Sequence, residues 1–105
     1  MSAKSLSSQA REMLTDEDKR DDVILYLSKN SEATSQELRN LASAEEDAYD
    51  RRKYVAVARS LNELGYVESE IDDSEIIWVP DEDFSYNSVV EKVEEALENP
   101  GEESY

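Results

Sequence analysis

Apolar side chains recur along this chain in two periods, and the change from one to the other divides it. Leu6, Ala10, Met13 and Leu14 fall at helical spacing and predict a first helix. Thr15 or Asp16 can cap a second, whose first turn is acidic and whose Val23, Ile24 and Leu27 face a core before it stops near Asn30. Thr34-Ser-Gln-Glu37 is a capping box, in which hydroxyl and carboxylate each satisfy a free backbone N–H; it opens a short helix carrying Leu38, Leu41 and Ala42 and ending about Ser43. A polar, acidic stretch from Ser43 to Asp50 leads into a longer helix from Arg51, with Asp47 or Asp50 as its cap and Gly65 as its stop.

Beyond Gly65 the period becomes alternating. Val67, Ser69 and Ile71 share one side of a strand, Ile77 and Val79 share a face of the next, and Asp72, Asp73 and Ser74 connect them, so a β-hairpin is predicted. Pro80 ends it, Asp81 to Tyr86 turns, and Val89, Val90, Val93 and Leu97 line one face of a last helix that ends at Asn99-Pro100-Gly101. The expected fold is mainly α with a small β-hairpin (α+β). Its parts are an N-terminal helix over 1–15, a central unit over 16–80, a C-terminal helix over 81–99 and a tail over 100–105.

Composition limits what such a fold can do. Leu, Ile, Val and Phe supply 22 of 105 residues, just above the roughly 20% below which a highly charged chain stays disordered, so one small core is expected. With no Cys and no His, disulfides, thiol catalysis, Cys- or His-ligated metals and Ser/His triads are excluded. Paired carboxylates abound, but none stands apart from the acidic coat as a placed acid/base pair, and no enzyme is expected. Asp81-x-Asp-x-Ser-x-Asn87 has Tyr86 where a calcium loop needs Gly and Lys92 where it needs Glu, so no metal or other cofactor is expected. Trp78 is expected to pack on the core. No long apolar run or secretory leader is visible, which places the expected protein in the cytoplasm.

The net charge is −16, from 27 acidic and 11 basic residues. Acids are interleaved with apolar residues rather than gathered in blocks, so the charge coats a fold. With Lys scarce, the composition resembles that of proteins from salt-loving archaea, in which about 1 M salt shortens the Debye length to about 3 Å and quenches self-repulsion. One segment departs from the coat: residues 51–62 carry +4 without a single acid, whereas residues 63–105 carry −14.

The order helix, helix, long helix, hairpin, with Leu61-Asn-Glu-Leu-Gly-Tyr-Val67 joining the long helix to the first strand, resembles the winged helix-turn-helix family over about residues 16 to 80. The resemblance implies that the long helix enters the major groove of double-stranded DNA, that the short helix braces it, and that the chain regulates transcription. Winding the long helix puts Tyr54, Val57, Ala58, Leu61 and Leu64 on one side and Arg52, Lys53, Arg59 and Ser60 on the other, with Ala56 near the centre of the outer face. Arg52, Lys53, Ala56, Arg59 and Ser60 are therefore the expected DNA contacts, with a weaker role for Arg51. Arg39, Thr34 and Ser35 on the bracing helix are expected to meet phosphate.

The hairpin, with Glu68, Glu70, Asp72, Asp73 and Glu75, departs from the family by being acidic, so no DNA contact is carried over to it. Family members often dimerise through helices outside the wing domain. A homodimer is accordingly expected through Val89, Val90, Val93 and Leu97, with Leu6 and Met13 contributing; packing of both helices onto the protein's own core is the alternative. A winged-helix module for protein partners, or an acidic DNA mimic that occupies a basic partner, is the competing function.

Overall fold

The structure is a computed structural model that describes residues 7–98. It comprises α1 (Ser8–Thr15), α2 (Glu17–Lys29), β1 (Ala33–Thr34), α3 (Ser35–Arg39), α4 (Ala48–Glu63), β2 (Val67–Asp72), β3 (Glu75–Pro80) and α5 (Tyr86–Glu98). The mixed α+β architecture expected from the two periods is present, and Leu6 lies outside the described residues.

Local chemistry accounts for most boundaries. Ser7 caps α1 by accepting from the Ala10 N–H, and Asp16 both ends α1 and caps α2 by accepting from the Lys19 N–H. The capping box of α3 is complete: Thr34 Oγ1 accepts from the Glu37 N–H at 3.0 Å and Glu37 Oε1 accepts from the Thr34 N–H at 2.9 Å. The regular helix ends at Arg39, four residues short of Ser43, because the chain tightens into successive turns in which Leu41 N–H donates to Leu38 and Ala42 N–H to Arg39. Asp47 caps α4 at the Asp50 N–H, so this helix begins at Ala48, three residues before Arg51. Gly65 has φ +88°, the left-handed turn that lets Tyr66 N–H reach back to the Leu61 carbonyl and close the helix. Asp73 and Ser74, at φ 52° and 69°, form the two-residue hairpin turn whose twist matches the flanking strands.

The sheet is antiparallel, in the order β1-β3-β2. β1 is an addition to the expected hairpin: Ala33 pairs with Trp78 and Thr34 with Ile77. In the hairpin Val67 faces Pro80, Ser69 faces Trp78 and Ile71 faces Ile76. Trp78 and Val67 are buried, whereas Ile71, near the hairpin tip, is 79% exposed. The tip projects beyond the core, so the alternating pattern keeps its geometry there without burial.

A single core runs through all of this. Leu14 of α1, Val23, Ile24 and Leu27 of α2, Leu38 of α3, Val57 and Leu61 of α4, Val67 and Trp78 of the sheet, and Val89 and Val93 of α5 belong to one cluster. Arg20 is buried with them, its guanidinium held by Asp21 at 2.9 Å, Glu94 at 3.4 Å and the Leu14 carbonyl, so the end of α1, α2 and α5 meet on one cation.

The stripe expected to form a dimer contact packs within the chain itself. Val89 and Val93 are buried within the protein's own core, and Val90 and Leu97 pack against it. α5 lies on α2 and α1, and Arg11 Nη1 donates to the Leu97 carbonyl at 3.0 Å, capping the end of α5 from α1. A stripe of this kind is apolar because it needs cover, and the first core it can reach is that of its own chain.

Candidate nucleic-acid interface

α4 buries Tyr54, Val57, Ala58 and Leu61 and turns Arg52 and Arg59 to solvent, with Lys53, Val55 and Ala56 half-buried between. The periodicity therefore oriented the helix as expected, with one exception. Ser60 is 3% exposed, and its Oγ donates to the Ala56 carbonyl one turn back. Ser60 lies on the row that runs from Lys53 through Val57 to Glu63, and α1 packs along that row: Met13 shares a small cavity with Lys53 and Val57, and Glu63 accepts from both the Ser7 N–H and the Ser7 hydroxyl. Ser60 is thus removed from the expected contacts, because a helix outside the central unit covers its side.

What α1 leaves open is a groove of about 420 Å³ bounded by α4, α1 and α3. Arg52, Ala56 and Arg59 line it from α4, Arg39 from α3, and Gln9 and Met13 from α1. Lys53, Tyr49 and Val55 complete the wall, and among the described residues no carboxylate belongs to it. Arg52 and Arg59 have no ion pair or hydrogen bond among the described residues, and the partner of Arg39 is the neutral Gln36 Oε1 at 3.2 Å. Lys53 differs, since its ammonium lies 3.7 Å from Asp50 and 4.9 Å from the centre of the Tyr49 ring. Three guanidiniums, two from α4 and one from α3, thus share one groove without an ion pair among the described residues, in a chain of charge −16.

Met13, expected at a subunit contact, lines this groove, and Gln9, Tyr49 and Val55 were not anticipated. Val55 was legible, since Arg52, Val55, Ala56 and Arg59 follow the i, i+3, i+4, i+7 row of one helix face. Gln9 and Met13 were not, because only tertiary packing sets α1 beside α4.

Three further expected contacts are used internally. Arg51 is half-buried and donates from Nη1 to the Arg39 carbonyl at 3.5 Å and from Nη2 to the Ser43 carbonyl at 3.2 Å, clasping the loop between α3 and α4. Ser35 is 8% exposed; its Oγ accepts from the Trp78 indole N–H at 3.1 Å and donates toward the Ile76 carbonyl at 3.4 Å. Thr34 is occupied by its capping box, and the Gln36 N–H beside it donates to Glu75 Oε2 at 3.3 Å. The N-terminus of α3 thus holds a carboxylate of its own protein, and a phosphate there would meet that negative charge.

The loop between α3 and α4 is anchored from a second side. Glu46 Oε2 accepts from the Ser43 N–H and from the Tyr54 hydroxyl, both at 3.0 Å, and Lys19 lies 3.6 Å from Glu46 Oε1. The Ser43 N–H foremost, then Tyr54 and Lys19, outweigh burial and hold the Glu46 carboxyl below its usual range. Burial, reinforced by Glu46, pushes the Tyr54 phenol up to about 12. Burial pulls Lys19 down, but Asp16, Glu46 and Asp50 together outweigh it and raise its pKa.

Compared with protein-family models, curated proteins and solved structures, the chain matches none. Among the described residues no helix is long and apolar enough to cross a membrane.

Proposed function

We propose that the protein binds double-stranded DNA through the outer face of α4 and acts as a transcriptional regulator of winged helix-turn-helix type. The groove carries this reading: among the described residues Arg39, Arg52 and Arg59 stand on it without a carboxylate partner, in a chain whose acids outnumber its basic residues 27 to 11. The element order α2, α3, α4, hairpin is the one the family resemblance implies, with α3 as the brace and α4 as the recognition helix. Arg52 and Arg59 are seven residues apart, about 10 Å along the helix, with the short side chain of Ala56 between them. Their planar forks suit guanine edges or phosphate oxygens, and the small residue lets the helix approach a groove wall closely. The acidic hairpin stays away from the backbone, so the footprint is confined to α4, the loop before it and Arg39.

Duplex DNA from pooled genomic fragments, titrated in the lowest KCl at which circular dichroism shows the fold intact, tests the reading. Wild-type protein binds, and Arg52→Ala/Arg59→Ala loses at least about tenfold in affinity. Equal binding by both, or none by either, rejects it.

A second reading has its own observation. Ile71 stands 79% exposed on a hairpin that also exposes Glu68, Glu70, Asp72 and Asp73, a surface suited to a basic protein partner. Absence of DNA binding together with retention on an immobilised basic protein that Ile71→Ser abolishes favours it.

A further inference from the structure

The groove that faces DNA in the reading above is not purely cationic. Met13 of α1 and Val55 and Ala56 of α4 lie between the arginines and are only partly covered. Its volume of about 420 Å³ falls in the range of small-molecule sites, about 300 to 1,000 Å³, which combine an apolar floor with a few convergent polar groups. A phosphate backbone satisfies guanidiniums but leaves Met13 and Val55 in water. An apolar molecule covers those two and leaves the guanidiniums without an acid. Both halves are satisfied together by a ligand that has an anionic head and an apolar body.

We infer that this groove is a binding site for a small amphiphilic carboxylate, an aryl or alkyl acid. Arg52 or Arg59 holds the carboxylate by its fork, and the body lies on Met13, Val55 and Ala56. A carboxylate matches the guanidinium fork with two parallel hydrogen bonds. The rim supplies a further contact for a flat body, because Tyr49 is 67% exposed and borders the same cavity. The ligand and a DNA duplex would need the same arginines, so each excludes the other. The site itself does not depend on DNA being the partner.

The test uses the full chain without DNA, at the lowest KCl that keeps the fold. Naphthoate, the neutral naphthalenemethanol and inorganic phosphate are each titrated while backbone amide resonances are followed by NMR. Naphthoate is expected to shift the amides of α1 and α4 that border the groove, with an affinity at least about tenfold above that of the alcohol or of phosphate. Arg52→Ala/Arg59→Ala should remove the preference for the acid over the alcohol. Met13→Ser should weaken naphthoate while leaving phosphate unchanged, and both variants alter partly or fully exposed positions, so circular dichroism should report an intact fold. Equal affinity for acid and alcohol, shifts centred elsewhere, or no saturable binding would each overturn the inference. Because these titrations contain no DNA, their outcome is separate from that of the duplex assay.

Discussion

The indole N–H of Trp78 donates to the Ser35 hydroxyl at 3.1 Å, in the interior where β3 meets the first turn of α3. A residue that reads from the sequence as a phosphate contact is the partner of the chain's single tryptophan. Ser35→Ala leaves that buried donor unsatisfied, at a cost of about 1 to 3 kcal/mol. Denaturant unfolding followed by tryptophan fluorescence should show this loss, while DNA affinity of the folded variant stays at the wild-type value. A fall in affinity without a fall in stability would return Ser35 to the interface.

Tyr54 and Glu46 give stability a signature at high pH. The folded phenol titrates near 12 against an ordinary 10.0, so above pH 10 the unfolded chain loses this proton first. Stability therefore falls as pH rises from 10 toward 12. Lys19, whose pKa is also raised, acts in the same direction: its contribution is complete below the unfolded value and disappears as pH rises through the folded one. Glu46 acts at the other end, since its lowered pKa makes its contribution complete above its unfolded value of 4.5 and lost as pH falls through the folded one. Unfolding midpoints against pH check this, and Tyr54→Phe should flatten the alkaline limb, leaving the parts due to Lys19 and to Tyr66, whose phenol is also raised by burial and by Glu95.

If Arg59 meets a phosphate, it releases a counterion when it binds. Arg59→Ala should then lower the magnitude of the slope of log affinity against log salt by about 1 and weaken all sequences alike. If Arg59 reads a base edge instead, the slope stays near the wild-type value and discrimination at one position of the site relaxes. Affinities measured on one duplex at several KCl concentrations, and on single-base variants of it, separate the two.

Val93 is fully buried against its own core. Val93→Ala should cost about 2 kcal/mol, the lost transfer term plus that of the small cavity left behind. The loss should be the same at low and high protein concentration, because the side chain is covered within one chain. A loss that shrinks as concentration rises would assign the stripe to a subunit interface.

The acidic coat predicts a dependence on salt. At about 0.01 M the Debye length is about 30 Å, comparable with the whole molecule, and the repulsion among its surface carboxylates is unscreened. Helical circular dichroism and thermal stability should fall on dialysis from molar KCl into dilute buffer. Unchanged spectra and midpoints would remove salt adaptation as the reason for the charge.

The amino-acid sequence by itself determined the elements and their orientation, because these follow from interactions within a few residues. The capping box at Thr34 and Glu37, the helix stop at Gly65, a hairpin connection within Asp72 to Ser74, and the inward face of α4 were all legible. So was the single acid-free segment, a property of composition alone. What neighbours each outer face was decided only by the tertiary structure. The two-residue β1 has no period of its own and exists because Ala33 and Thr34 find Trp78 and Ile77. Ser60 lies on the polar side of a helical projection, yet α1 covers it. Arg51 and Ser35 look free in the sequence and serve a loop and an indole instead, and Glu75 reaches the start of α3 from 39 residues away. Local preferences act over one or two turns, whereas packing brings distant segments onto the same face. A polar side chain is therefore free to bind only after every nearer group that could use it has been placed.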